Sequence, residues 1–576
     1  MFEIKRFRRI SMSTGCSLRS FRAAIFIAAL VLAVFAVAVA GAAIPAQAQT
    51  PTVIYALPGG TGQPVSPGGT TLAQGRDGNL YVTSQYGGAG TRGMLFNVTP
   101  AGVPTVVYNP DAYLFGATLG TDGNLYGANY SGGANGFGTL YKSTPSGTAT
   151  LLYTFLFSSG PANPYAPPIE AASGIFYGTT PYIEERDGYF PESVAYSVTS
   201  KGVFKIVHTF TGTDGQNIYA GLVQGSDGNF YGCSAAGGTS SDGVIFKMTS
   251  AGKVTVLHNF DGTDGTGCSY ALIQASDGDF YGTAGGGSSS VGVVFKITPG
   301  GTYTVIHNFN GTTDGSSPNS PLIQATDGNL YGVTGSQGTA DFGTIYKVTT
   351  GGTLTTLYSF TGGTDGGIAQ SGLRQHTNGL LYGTTFMGGD LNCLTDIYAG
   401  GQLVEVAGCG VVFSLDIGAA PFVNLMTKSG HELSAVEILG QGFTKSSVVE
   451  FGGVAATKVT LTGTTYMSAT VPAGAQTGAV TVTTGATTLT SPQTFKVLPT
   501  ITSIPASGAV GTPVAITGTG LTQTTKVTFG GVAATSITVN SDTQVTATVP
   551  TGAKTGKIAV TTKGGSASSK TSFTVN

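Results

Sequence analysis

A tyrosine set in the segment DGNLYG, or a variant of it, recurs at Tyr81, Tyr126, Tyr177, Tyr231, Tyr281, Tyr331 and Tyr382, at spacings of 45, 51, 54, 50, 50 and 51 residues. A repeat of this size is one supersecondary unit that cannot bury its apolar face alone, so its copies must stack on one another. Two further marks accompany the tyrosine. An aromatic residue among β-branched neighbours follows a glycine-rich gap at Phe96, Tyr141, Tyr196, Phe246, Phe295, Tyr346 and Phe413. A period-2 run of the half-buried strand type carries Tyr55, Tyr108, Tyr153, His208, His258, His307 and Tyr358.

Each mark occurs seven times, but their order is displaced. Tyr55 precedes the first DGNLYG copy, and no third mark follows Phe413. With the strands of one unit lettered a to d from the axis outward, GLVQGSDG supplies a, NFYGCS supplies b, and the second and third marks lie on c and d. The repeat region then begins with a lone d strand, Thr52 to Leu57, and ends on a c strand, Val411 to Leu415. Pairing these two closes a ring and removes the sheet edges that an open array would expose. The expected fold class is all-β, a seven-bladed β-propeller whose N-terminal strand completes the last blade. The turns agree: Asp77-Gly78, Asp122-Gly123, Asp227-Gly228, Asp277-Gly278, Asp327-Gly328 and Asn378-Gly379 separate a from b, with Ser173-Gly174 in the third copy. Asp-Gly and Asn-Gly supply the positive φ that a tight hairpin needs.

Over residues 51 to 418 the sequence resembles the bacterial tandem repeats called GloVer, with their DGNLYGTT, glycine loop, GTVFKIT and LYSFTGG segments. The resemblance implies fold and export more than activity. The DGNLY core is also similar to the DGNLWFT repeats of streptogramin-lyase-like propellers, although no catalytic signature of that group can be placed here.

From Pro421 a different repeat begins, with a period of 78. Phe451 to Thr457 returns as Phe529 to Thr535, and Val471 to Gly478 returns as Val549 to Gly556. Short runs of Val, Thr and Ile broken by Gly and Pro turns are what a β-sandwich requires. Both modules resemble the IPT/TIG family, the second through Pro499, Ile501, Ile504, Pro505, Ser507-Gly508, Gly511-Thr512 and Gly518 to Leu521. The first departs at Thr427, where the second has Pro505. The resemblance implies an Ig-like spacer or adhesion module. The expected organisation is 1–48 signal peptide, 49–418 propeller, 419–498 first Ig-like domain and 499–576 second.

Residues 1–48 combine a basic start (Lys5, Arg6, Arg8, Arg9, Arg19, Arg22), an apolar run from Ala23 to Ala43, and Ala46-Gln47-Ala48, a small-x-small cleavage site. The run is also long enough to span a bilayer, so an uncleaved anchor is the alternative. Cleavage leaves 20 Lys and Arg against 27 Asp and Glu, a net charge of −7. A mildly acidic surface without basic clusters argues against nucleic acid and anionic lipid as partners. The mature chain is expected to be exported (extracellular, cell-surface or periplasmic), monomeric and free of membrane spans.

Four cysteines remain after cleavage, and an even count suits an oxidising compartment. Cys233 follows strand b of blade four and Cys268 precedes strand a of blade five, on one face, while Cys393 and Cys409 lie in one insertion. The expected bridges are Cys233 to Cys268 and Cys393 to Cys409.

The loops from b to c and from d to a open on one face of the disc. Two b-to-c loops break the repeat: Pro181 to Glu192 in blade three, carrying Glu184, Glu185, Arg186 and Asp187, and Gly388 to Cys409 in blade seven, carrying Asp390 and Asp396. These are the candidate binding residues, because function concentrates in loops held by a rigid scaffold. His208, His258 and His307 share one repeat position with tyrosines, so packing is favoured over metal binding. The TDG loops at Asp214, Asp264, Asp314 and Asp365 offer a calcium ion too few oxygens, so turn formation is favoured. No cofactor, metal site or nucleophile motif is expected. The leading reading is a surface or secreted protein that binds a glycan or protein through the propeller loops, leaning away from an enzyme. The rival is a secreted polysaccharide lyase or glycoside hydrolase pairing Glu184 or Glu185 with Asp390 or Asp396.

Overall fold

The computed structural model describes residues 49–576 apart from 61, 70, 88–91, 111, 157–160, 182–192, 400 and 401. The expected signal segment, 1–48, lies outside the described residues. Every regular element described is a β-strand.

Seven antiparallel sheets of four or five strands follow one another along the repeat region. Blade four shows the pattern: a, Val223–Gln224; b, Phe230–Cys233; c, Val244–Met248; d, Val254–Asn259. The local chemistry of DGNLY explains why each copy folds alike. The Asp227 carboxylate accepts hydrogen bonds from Asn229 N (3.1 Å), Asn229 Nδ2 (2.9 Å) and Tyr231 Oη (2.9 Å), while Gly228 takes the left-handed conformation at φ 81°. The glycine after the tyrosine is required for a different reason. A Cβ on Gly282 would stand 2.6 Å from the Phe295 ring, so the second aromatic mark packs directly on the bare backbone of strand b.

The same tyrosine joins each blade to the next by packing beside the residue that precedes the neighbouring blade's tyrosine. Tyr126 stacks on Phe176 with ring centroids 3.8 Å apart, Tyr177 meets Phe230 at 4.2 Å and Tyr231 meets Phe280 at 3.9 Å. Tyr81 shares a core with Leu125, Tyr281 with Leu330, and Tyr331 with Leu381. The last of the set, Tyr382, packs with Leu80 of the first blade, which closes the circle.

The covalent start of the repeat region closes it too. In blade seven, strand b (Leu381–Met387) pairs with strand c (Val411–Leu415), and the outer strand is Thr52–Ala56, with Thr52 opposite Ser414, Val53 opposite Phe413 and Ala56 opposite Val411. Blades one and seven each carry one extra short strand, Pro64–Pro67 and Gly367–Ala369, beside strand b.

Beyond the propeller stand two sandwiches of matching topology. In the first, the sheet Asn424–Leu425, Ala435–Leu439, Tyr466–Thr470, Val459–Thr462 faces a second sheet in which Ser429–Gly430 runs parallel to Thr487–Val497. In the second, Thr500–Ser503, Pro513–Thr519, Gln544–Thr548 and Ile537–Ser541 repeat that order, and Ser507–Gly508 runs parallel to Ser566–Val575. Phe451 meets Phe495 in one core and Phe529 meets Phe573 in the other. The entry strand pairs normally in the first module, although Thr427 replaces the proline of the second.

Candidate functional site

The two ends of the blade strands are built differently. On the a–b turn side, the glutamine that ends strand a reaches the preceding blade's turn. Ser226 N donates to Gln274 Oε1 (2.8 Å), Ser276 N to Gln324 Oε1 (2.8 Å) and Thr326 N to Gln375 Oε1 (2.9 Å). Glu170 does the same for Thr121 N and Oγ1 in blade two. At the closing junction Thr377 N donates to Gln74 Oε1 (3.1 Å) and Gln74 Nε2 donates to Thr377 Oγ1 (2.8 Å). The first sandwich rests on this side. Arg76 pairs with Glu437 at 2.5 Å and covers the Tyr466 ring at 4.4 Å, Gln441 Nε2 donates to Thr377 Oγ1, and Thr465 Oγ1 donates to Arg76 O.

On the other side, the b–c and d–a loops lie together, as their backbone pairing records: Gln216 with Ala236, Thr266 with Gly285, and Ser316 with Ser336. Four of the d–a loops are anchored by an aspartate. His208 Nε2 lies 2.8 Å from Asp214 Oδ2 and His307 Nε2 lies 3.0 Å from Asp314 Oδ2, while Tyr358 Oη donates to Asp365 Oδ2 at 2.9 Å. His258 sits 2.8 Å from Asp264 and stacks on Tyr303 with centroids 3.8 Å apart. The histidines and the TDG aspartates thus belong to one device that fixes the loop after strand d. No group of three or more His, Cys, Asp or Glu gathers as a metal site among the described residues.

The loops into strand a bend through a left-handed residue at one repeat position: Ser66, Asn163, Asn217, Gly267, Ser317 and Ile368, all with φ between 49° and 56°. Just beyond this bend the aromatic side chains converge. Tyr165 (blade three) stacks on Phe115 (blade two) at 4.2 Å and meets Tyr130 (blade two) at 6.1 Å and Tyr219 (blade four) at 5.4 Å. Tyr270, from blade five, also feels the Tyr165 hydroxyl. Tyr113 accepts a backbone hydrogen bond from Tyr130 and meets Tyr86 of blade one at 5.7 Å, which in turn meets Phe386 of blade seven at 6.4 Å. Arg92 stands over the Tyr113 ring. Burial holds the hydroxyls of Tyr165, Tyr219 and Tyr270 above the usual phenol range, so they remain neutral donors.

This crescent runs from blade seven through blade five and leads into a cleft of about 230 Å³. The cleft is lined by Tyr270, Thr283, Ser290, Ser317, Pro318 and Asn319 among others. Rings at varied tilt followed by small hydroxyl and amide groups form a surface that can stack on an apolar face and hydrogen-bond a polar edge.

The two disulfides lie at this face. Cys233 and Cys268 are bridged with Cα atoms 5.7 Å apart, tying strand b of blade four to the d–a loop of blade five. Cys393 and Cys409, 5.6 Å apart, staple the base of a hairpin formed by Leu394–Ala399 and Gln402–Ala407.

Of the acidic loop candidates, Asp390 is engaged in its own turn, accepting from Asn392 N and Nδ2 at 3.0 Å each. Asp396 pairs by backbone register with Glu405 in the stapled hairpin. Glu184, Glu185, Arg186 and Asp187 lie outside the described residues. The crescent itself was missed in the sequence because its rings occupy different repeat positions. The usable signal was their common feature, aromatic residues outside all three repeated marks in the loops and strand ends of one face.

Residues 183–398 match the model of the Gloeobacter/Verrucomicrobia repeat, and residues 499–575 match the IPT/TIG domain. Among solved structures, virginiamycin B lyase from Staphylococcus aureus is 14% identical over 63% of this chain and 97% of its own, with a TM-score of 0.41. A streptogramin B lyase is 14% identical over 61% and 94%, with a TM-score of 0.39. The gluconolactonase XC5397 from Xanthomonas campestris is 12% identical over 62% and 88%, with a TM-score of 0.32. A comparison with curated protein sequences finds no match.

Proposed function

From the match of residues 183–398 to the Gloeobacter/Verrucomicrobia repeat and of residues 499–575 to the IPT/TIG domain, we propose that the chain is an exported binding protein whose aromatic crescent recognises a glycan. The carrying observation is the convergence of Phe115, Tyr130, Tyr165 and Tyr219 from three blades on one face. Pyranose rings offer C–H faces that stack on such aromatics, and their hydroxyls suit the Ser, Thr and Asn lining of the adjoining cleft. The first sandwich contacts the opposite side of the blades. Export is supported by the two bridges, since disulfides persist in oxidising compartments. The inserted loops of blades three and seven are the proposed rim of this site, with Glu184, Glu185, Arg186, Asp187, Asp390 and Asp396 as its polar contacts.

A glycan array probed with the full chain, run beside a reducing-end release assay on the same glycans, tests this reading. Binding without cleavage is the expected result. Tyr165→Ala is expected to weaken binding about tenfold, equivalent to about 1.4 kcal/mol, and Tyr165→Phe to retain most of it. Unchanged binding by Tyr165→Ala, or turnover that depends on the loop acids, would overturn the reading.

A further inference from the structure

Strand a of each blade places one residue directly opposite the repeat tyrosine. Ala73 faces Tyr81, Thr118 faces Tyr126, Ile169 faces Tyr177, Val223 faces Tyr231, Ile273 faces Tyr281 and Ile323 faces Tyr331. These residues are apolar or small, and Ile169, Val223, Ile273 and Ile323 pack against the cores between blades. In blade seven the residue in that register, opposite Tyr382, is Arg374.

The neighbours of Arg374 define which way it turns. Gln375 reaches blade six, through Thr326 N and Oγ1. Alternation along the strand therefore sends Arg374 to the other side, the side of His376, whose Nε2 lies 3.0 Å from Gly78 O of blade one. Arg374 thus enters the inner edge of the junction between the last and first blades. Burial pulls its pKa down, yet part of its surface stays accessible.

Nothing there offsets its charge. Its Nε has no hydrogen-bond partner, and no carboxylate among the described residues pairs with it. His376 is neutral: its Nδ1 accepts from Asn378 N, Nε2–H donates to Gly78 O, and burial depresses its pKa. The acid that strand a of blade three provides, Glu170, is already held by Thr121. An enclosed cation without a counter-charge is costly, and a planar guanidinium with free N–H groups matches a carboxylate in bidentate fashion. Propeller blades surround a central channel, so a residue on the innermost strand is reachable by a ligand.

We propose that Arg374 binds the carboxylate of an acidic saccharide, making the ligand class an oligouronide over a neutral glycan. Arg374 lies toward the a–b turn end of strand a, opposite Tyr382, whereas the crescent lies at the other end of the strands, so the proposed ligand is an oligomer that runs from the crescent into the central channel. The proposal rests on the glycan reading above for the identity of the molecule that carries the anion. Calorimetric titration of the full chain with oligogalacturonate and with neutral galactose oligomers tests it, alongside Arg374→Ile and Arg374→Lys. Isoleucine is the residue other blades carry at this register, so the fold should accept it. At least tenfold tighter binding of the acidic oligomer is expected, with the preference lost in Arg374→Ile, partly kept in Arg374→Lys, and neutral binding unchanged. Neutral binding without acid preference, or a preference that survives in Arg374→Ile, overturns this inference alone. Stabilisation by acetate or sulfate that needs Arg374, with no oligouronide preference, reassigns the site to a free small anion and also overturns it. Absence of binding by both oligomers, with Tyr165→Ala silent on the array, sinks the glycan reading beneath it.

Discussion

Replacing Gln74 by leucine should weaken the propeller far more than the same change at Gln274, the equivalent position of blade five. Gln74 is 1% exposed and Thr377 0% exposed, so the two hydrogen bonds between them sit in a dry junction. Leucine is already tolerated at this register in blade two, as Leu119, so shape is not the issue. Two hydrogen bonds at about 1 kcal/mol each, plus the Thr377 N–H stranded without a partner, give a loss of about 3 kcal/mol. Thr377 Oγ1 still donates to Gly440 O and accepts from Gln441, so the loss is confined to the blade junction. Gln274 makes the equivalent bonds to Ser226 at a solvent-facing junction, where water replaces the lost partners, so Gln274→Leu should cost about 1 kcal/mol or less. Urea denaturation followed by tyrosine fluorescence compares the two variants in a chain that has no tryptophan. Equal costs at the two sites, or no cost at Gln74, would refute the claim that the closing junction is dry and held by these groups.

Two further outcomes follow from buried polar groups. Glu432 of the first sandwich is raised from the usual carboxylate value to about 7, by burial first and then by its hydrogen bond with Asp542 of the second, whose own pKa is lowered. A raised folded pKa contributes stability that is complete below the unfolded value of 4.5 and is lost as pH climbs through 7. Calorimetric melting should therefore show the sandwich pair weakening across that window, and Glu432→Gln should flatten the dependence; an unchanged slope in the variant would contradict it. Tyr346 is fully buried with its hydroxyl unpartnered, at a position where blades four, five and seven carry phenylalanine. Tyr346→Phe is expected to leave stability unchanged or raise it by about 1 kcal/mol in the same urea assay.

What could be read from the sequence is the part of the fold written in local chemistry. Asp, Asn and Tyr of DGNLY stand close along the chain, and the Asp carboxylate accepts from the other two, so the motif and its structure repeat together. The displaced order of the three marks carried the closure of blade seven, which no single motif expresses. Both disulfides were legible because blade geometry puts their cysteines at one face or within one loop. The aromatic crescent was not, because Tyr86 comes from strand b, Tyr113 and Phe115 from the start of strand a, and Tyr165, Tyr219 and Tyr270 from the bends before it. The recurring Gln of strand a was visible, but its partner is the backbone of another blade, which a strand pattern does not name. The stapled hairpin carries its own signal, Gly400-Gly401 between two alternating runs, which comparison with the shorter repeats hides. The seat of the first sandwich on Arg76 and Thr377 depends on residues more than 60 positions apart and left no periodic trace.

The ring is shut by the union of the two ends of the repeat region, and a cross-link tests that union directly. Thr52 and Ser414 are paired residues of neighbouring antiparallel strands, 362 positions apart. Directly opposed residues have Cα atoms about 4.5–5.5 Å apart, within the range a disulfide accepts. The double variant Thr52→Cys with Ser414→Cys, mapped by mass spectrometry after mild oxidation, should yield the intramolecular 52–414 bridge with both native bridges intact. Free thiols at these two positions, or cross-links only between molecules, would contradict a ring shut by its own first strand.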